Sequence, residues 1–90
     1  MKTYFEASFE RDLKKIKEKE VLRQIKEIIE SVKKAHSFKD IQNLKKLKGY
    51  NTFYRIRFGD YRICIDVSGE EVIFVRCLGR KDIYKFFPVK

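Results

Sequence analysis

Three features of the sequence predict an α+β fold of order β-α-α-β-β-β. Apolar residues recur at a helical period through residues 8–35, bulky residues alternate through residues 52–78, and glycine-centred turns divide that second region into strands. Helices come first and hairpin-linked strands last. The expected architecture is a small twisted antiparallel sheet with a helical pair packed on one face.

Each element has its own local reason. Lys-Thr-Tyr-Phe-Glu-Ala (residues 2–7) reads as a short first strand. Ser8 is the expected N-cap of the next helix, with Glu10 and Asp12 in its first turn. Phe9, Leu13 and Ile16 then mark an amphipathic helix over 8–18. A second helix over 20–35 gathers Val21, Leu22, Ile25, Ile28, Ile29 and Val32 on one side and leaves Lys, Glu, Arg and Gln to solvent. So little chain joins the two that an antiparallel αα-hairpin is expected. Residues 36–50 lack a clear period; Phe38, Ile41, Leu44 and Leu47 are expected to anchor a loop or short helical turn, ended by Gly49.

Strands are expected over 52–58, 61–67 and 71–78. A Gly59-Asp60 turn pairs Phe58 with Tyr61, and therefore Arg57 with Arg62. The second turn leaves two registers open. A three-residue Ser68-Gly69-Glu70 loop sets Arg76 opposite Arg62, whereas a two-residue loop slips the register by one and turns Arg76 the other way. After the last strand, the aromatic tail ending Phe86-Phe87-Pro88 is expected to serve mainly packing.

Composition narrows the function classes. Ninety residues, 43% of them hydrophobic, suit one domain (1–90) with one core. No apolar run approaches the roughly 18 residues of a membrane span, and no apolar signal segment opens the chain. A soluble, cytoplasmic protein with no membrane partner is expected. Cys64 and Cys77 lie in apolar runs and read as buried reduced thiols. Without a CxxC or a His–Cys cluster, neither metal nor cofactor is expected. With His36 as the single histidine, a Ser-His-Asp or Cys-His machine has few ways to be assembled. The net charge is +9, and its basic excess falls mainly in residues 38–90. That bias points to nucleic acid or an acidic protein partner.

The Phe53–Ile63 hairpin carries the sharpest signal. Alternation places Tyr54, Ile56 and Phe58 on one sheet face and Arg55 and Arg57 on the other, where Arg62 joins them. Like charges directly opposite on a sheet are destabilising. A surface that tolerates them is suited to a polyanion, and guanidinium forks match phosphate.

The chain resembles the RelE family, within the RelE/ParE superfamily of toxins from toxin–antitoxin pairs. The resemblance runs through Phe-Glu-x-x-Phe-x-x-Asp-Leu-Lys-Lys (5–15), Lys46-Leu47-Lys48-Gly49, Tyr54-Arg55-Ile56-Arg57-x-x-x-Tyr61-Arg62-Ile63, and Gly79-Arg80-Lys81-Asp82-Ile83-Tyr84. It implies a ribosome-dependent endoribonuclease that cuts mRNA in the A site, inhibits translation and is neutralised by a cognate antitoxin. The family's catalytic residues match Arg55, Arg57, Arg62, Arg80 and Tyr84. Arg55 and Arg57 stand where family members often have lysine, and Gly79 where many have histidine. A ParE-like DNA gyrase poison is the first alternative; that branch generally lacks the full basic-plus-tyrosine set. A non-catalytic or weakened RNA- or ribosome-binding relative is the second.

Cleavage by the ribose 2′-hydroxyl needs a proton acceptor, a stabiliser of charge on phosphorus and a donor to the leaving oxygen. Arginine stays protonated, so Arg55, Arg57 and Arg62 suit the second task. Tyr84 is expected to take the 2′-proton or orient the hydroxyl, with Arg80 nearest the leaving group. Lys45, Lys46, Lys48, Arg76 and Lys81 are expected to contact RNA or the ribosome through phosphates.

Overall fold

The computed structural model describes residues 1–87. Its elements are β1 (Lys2–Phe5), α1 (Ala7–Lys15), α2 (Lys19–Lys34), a 3₁₀ turn (Phe38–Asp40), β2 (Leu44–Lys46), β3 (Phe53–Phe58), β4 (Tyr61–Ser68), β5 (Glu71–Gly79) and α3 (Ile83–Phe86). They build a five-stranded sheet in the order β1-β5-β4-β3-β2. Among the described residues, no helix is long and apolar enough to cross a membrane.

The helices and hairpins form where the sequence places them. Phe9, Ile16, Ile25 and Val32 from the helical segment meet Ile56, Ile63, Ile65, Val67, Val72 and Phe74 from the strands in one buried core. Both hairpins turn through a glycine at positive φ in the first loop position, Gly59 at 54° and Gly69 at 60°. That conformation is inexpensive only for glycine, and it gives the tight turn the twist that the strands require. Phe58 pairs with Tyr61 and Arg57 with Arg62.

Three features depart from the expected outline. β1 runs parallel to β5, so the sheet is mixed. The two hairpins occupy both sides of β4, which leaves β1 only an outer edge. Secondly, a three-residue β2 extends the other edge, pairing with β3. One apolar residue in Leu-Lys-Lys is too little to display a period. Thirdly, α3 covers part of the second sheet face, the one that carries the arginines. Ile83 and Phe87 are buried with Leu47, Cys64 and Leu78 in a small second core. The aromatic tail is thus divided, with Phe87 packed and Phe86 about half exposed; Pro88 lies outside the described residues.

The second hairpin closes through two residues, Gly69-Glu70, with Ser68 opposite Glu71. A bulge between Cys64 and Ile65 on the β4 side then shifts the register, leaving Val75 without a partner. Arg76 pairs opposite Cys64, and Arg62 opposite Leu78. The turn slips the strand by one and the bulge by one more. Arg76 therefore returns to the row parity of Arg62, but further from the hairpin tip.

α1 closes the half of the β5 edge that β1 does not reach. The Ser8 hydroxyl donates to the Val75 carbonyl at 2.6 Å, and the Cys77 amide donates to Asp12 Oδ2 at 2.9 Å. Glu6, rather than Ser8, occupies the N-cap position, and Ser8 lies inside the first turn. Two side chains of a helix thus satisfy backbone groups that a strand would otherwise pair.

Cys64 and Cys77 are buried free thiols in different cores. Burial pushes both up to about 12. The neutral thiol is therefore favoured by folding. This contribution holds below the unfolded value of 9.0 and is lost as pH rises toward about 12. A urea midpoint is expected to fall between about pH 8 and about pH 10. Neither thiol should react with iodoacetamide in the folded protein at about pH 8, whereas both should react in urea.

Candidate nucleic-acid interface

The register arranges basic side chains in rows on the face opposite the helical pair. Lys45 pairs with Arg55, and Arg57 with Arg62. Lys45 therefore shares the arginine face, while Lys46, opposite Tyr54, alternates to the other side. Lys45, Lys46, Lys48 and Lys81 are all exposed.

Arg62 is the fixed centre. Its Nη1 donates to the carbonyls of Gly59 at 3.1 Å and Tyr61 at 2.8 Å, so the hairpin's own turn holds the guanidinium. Burial, followed by the charges of Arg55, Arg57 and Arg80, pushes its pKa down, with Asp60 partly opposing them. These couplings draw four cationic side chains into one electrostatic field. The Arg80 amide donates to the Asp60 carbonyl at 2.8 Å, fastening the segment after β5 to the tip of the first hairpin. Arg80, distant in sequence, thereby joins the hairpin residues Arg57 and Arg62 at one end of the sheet.

Tyr84 is disposed differently. It lies on α3 beside the buried Ile83, with its own side chain 74% exposed. Such a phenol is accessible to a ligand rather than fixed in the core.

Arg76 is committed elsewhere. Its Nε and Nη2 donate to the two carboxylate oxygens of Asp12 at 2.8 and 3.0 Å. Asp12 is 4% exposed and Arg76 17%. The Asp12 hydrogen bonds raise the Arg76 pKa. The guanidinium also lies 5.6 Å from the centre of the Phe86 ring. Arg76 thus ties α1 and α3 to β5, and its fork is not presented to solvent with the other arginines. Asp12 had a signal in the sequence: it shares an apolar helix stripe with Phe9 and Ile16, where an acid requires a buried partner.

Among the described residues, no group of three or more His, Cys, Asp or Glu side chains is arranged to hold a metal ion. What the surface offers is a group of guanidinium forks, Arg62 held by its own hairpin, with lysines alongside.

The protein is thus a small mixed sheet with two helices on one face and an arginine cluster on the other. Residues 4–84 match the family described as "ParE toxin of type II toxin-antitoxin system". The chain belongs to the RelE/ParE superfamily of type II toxin–antitoxin toxins. It is 45% identical over 89 residues to Toxin RelE3 of Methanocaldococcus jannaschii, covering 98% of this chain and 100% of that one. Its fold matches the toxin in the crystal structure of a RelB-RelE antitoxin-toxin complex from Methanococcus jannaschii, with a TM-score of 0.80 and 42% identity over 94% of this chain and 99% of the other. A likeness in fold alone extends to the toxin-antitoxin complex RelBE2 of Mycobacterium tuberculosis, with a TM-score of 0.69 and 22% identity over 88% of this chain and 96% of that one.

Proposed function

We propose that this toxin is a ribosome-dependent endoribonuclease that cleaves mRNA in the A site, within the cytoplasm, and is held inactive by a cognate antitoxin. The observation that carries this reading is the cluster of Arg55, Arg57 and Arg80 around a hairpin-locked Arg62. Preorganised cations aimed at one phosphate stabilise the charge that develops as the 2′-oxygen attacks phosphorus and the 5′-oxygen leaves. Arg62 and Arg57 clamp the phosphate, Arg55 supports them, and Arg80 faces the leaving oxygen. Tyr84 reaches from α3 to accept the 2′-proton or orient the hydroxyl. Lys45, Lys46, Lys48 and Lys81 contact RNA phosphates outside the cluster, with a salt-sensitive contribution. Arg76 contributes by holding α3 in place.

Without a conventional histidine pair at the site, much of the rate must come from positioning. The ribosome supplies that by presenting mRNA in a near-attack geometry. The antitoxin reading rests on the relative whose complex is described as antitoxin-toxin, and on a basic surface that an acidic segment would cover. A single domain over 1–90 is sufficient for these roles.

Purified protein added to ribosomes carrying a defined mRNA should give new 5′ ends at the A-site codon and leave naked mRNA whole. Tyr84→Phe, which removes only the hydroxyl, is expected to lower the cleavage rate on the order of 10²-fold without changing stability. Cleavage by Tyr84→Phe at the wild-type rate would remove Tyr84 from the mechanism.

A second reading, gyrase poisoning, is favoured by one finding, the match to a family described as ParE toxin. A DNA-supercoiling assay with purified gyrase separates the two, and no inhibition is expected.

A further inference from the structure

The arginine face also carries a row of aromatic rings that phosphate binding does not use. β3 alternates, so Phe53 points to the same side as Arg55 and Arg57. Its ring lies between two others. The Phe87 ring is 5.1 Å away, centre to centre, and the Tyr50 ring 5.4 Å, at angles of 54° and 36°. Phe87 is buried in the second core, Phe53 packs against that core, and Tyr50 ends the row at the surface, 37% exposed. The backbone fixes the turn that carries it: the Tyr50 amide donates to the Leu47 carbonyl at 3.2 Å, and Gly49 takes a φ of 86°. Tyr50 is thus an accessible ring backed by an anchored stack.

The register sets out an order of groups along this face. Arg57 pairs with Arg62 near the hairpin tip, Arg55 then lies beside Lys45, and Phe53 follows with Asp66 opposite it. At the rise of a strand, Phe53 lies roughly 13 Å from Arg57. The paired cations end where the aromatic row begins, and Asp66 makes that end unsuited to a phosphate. A planar, uncharged group fits it. Lys48 and Asn51 line the same surface recess as Tyr50, and both are exposed.

We infer that Tyr50 is a stacking platform for a base of the RNA strand whose phosphate the arginine cluster holds, a few nucleotides from that phosphate. The inference rests on the proposed binding of RNA to the arginine face. A strand clamped at Arg57 and Arg62 runs along β3 past Arg55 and Lys45, and a base beyond them stacks on Tyr50. Lys48 then lies beside the backbone of that nucleotide. Stacking on one ring tolerates every base, because each has a π-face. Tyr50 therefore contributes affinity without selecting sequence, and it is a binding residue remote from the reacting atoms.

Fluorescence anisotropy of the full chain with labelled 2′-O-methyl oligonucleotides, which lack the attacking hydroxyl, tests this. At low salt a hexanucleotide should bind Tyr50→Ala about tenfold more weakly than wild type. A dinucleotide, too short to leave the cluster, should bind both equally, which also reports that the variant is folded. Tyr50→Phe keeps the ring and should bind the hexanucleotide as wild type does. Tyr50→Leu keeps an apolar contact for Phe53 but no aromatic face, and should lose as much affinity as Tyr50→Ala.

Equal binding of the hexanucleotide by wild type, Tyr50→Ala and Tyr50→Leu would overturn the inference. So would full binding by Tyr50→Leu alone, since apolar bulk rather than stacking would then be at work. Cleavage of ribosome-bound mRNA by the wild-type preparation separates this inference from the endoribonuclease reading. A chain that cuts mRNA but binds the hexanucleotide without regard to Tyr50 loses the platform alone. One that cuts no mRNA yet needs Tyr50 for the hexanucleotide retains the platform and loses the nuclease reading.

Discussion

Alanine at Arg62 is expected to reduce cleavage of ribosome-bound mRNA on the order of 10²–10³-fold while leaving the fold intact. Arg62 is the residue on which the burial and charge of the cluster converge, and its guanidinium is held by two carbonyls of its own hairpin. A donor fixed before substrate arrives incurs little reorganisation cost during the reaction. Stability should not fall, because the variant also removes the unfavourable juxtaposition of Arg57 and Arg62. Arg62→Lys retains the charge but loses the planar fork, so its activity should fall between the two. Parallel rate measurements and urea unfolding separate this outcome from simple misfolding. Equal rates for Arg62→Ala and wild type would mean that the cluster does not hold the scissile phosphate.

The largest stability effect is expected at Asp12. Its carboxylate accepts three hydrogen bonds, two from Arg76 and one from the Cys77 amide. Asp12→Ala leaves a half-buried guanidinium without its counter-charge and a strand-edge amide without an acceptor. Removing one partner of such a pair costs about 3–5 kcal/mol. Against a total stability of about 5–15 kcal/mol for a domain, that brings the chain close to its folding limit. Asp12→Asn keeps an acceptor for the Cys77 amide but not the charge, and should be less damaging. Urea unfolding of the three proteins checks the order wild type, Asp12→Asn, Asp12→Ala. Loss of activity in Asp12→Ala under native conditions would follow from loosening of α1 and α3, not from loss of a phosphate contact.

Much of this was legible in the sequence where period and chemistry agree. The two helices, the hairpins and the Arg57–Arg62 pairing follow from alternation and one turn, because a strand fixes its side chains at period two. What could not be read depended on tertiary choices. The facing of Arg76 is set by a bulge at Val75, and a bulge leaves no mark in a short apolar run. The parallel pairing of β1 and the edge strand β2 reflect which sheet edges remained free. Ser8 resembles an N-cap by type and position, yet its hydroxyl bonds to the β5 edge instead. Asp12 reads in the sequence as an acid of the first helical turn, although its place on the apolar stripe marks it as a buried partner.

The gathering of the site divides along the same line. Arg55, Arg57 and Arg62 belong to one hairpin and could be grouped from the sequence. Arg80 joins them through its backbone bond to Asp60, a contact between segments twenty residues apart. Tyr84 depends on how α3 lies over Cys64 and Leu78, which only the second core determines.

Mapping 5′ ends on ribosomes programmed with a defined mRNA, with wild type, Arg62→Ala and Tyr84→Phe in parallel and naked mRNA as control, is the most direct measurement. The expected result is a cut at the A-site codon that requires the ribosome and is strongly reduced in both variants. Intact mRNA with the wild-type protein, together with inhibition of gyrase supercoiling, would contradict the endoribonuclease reading.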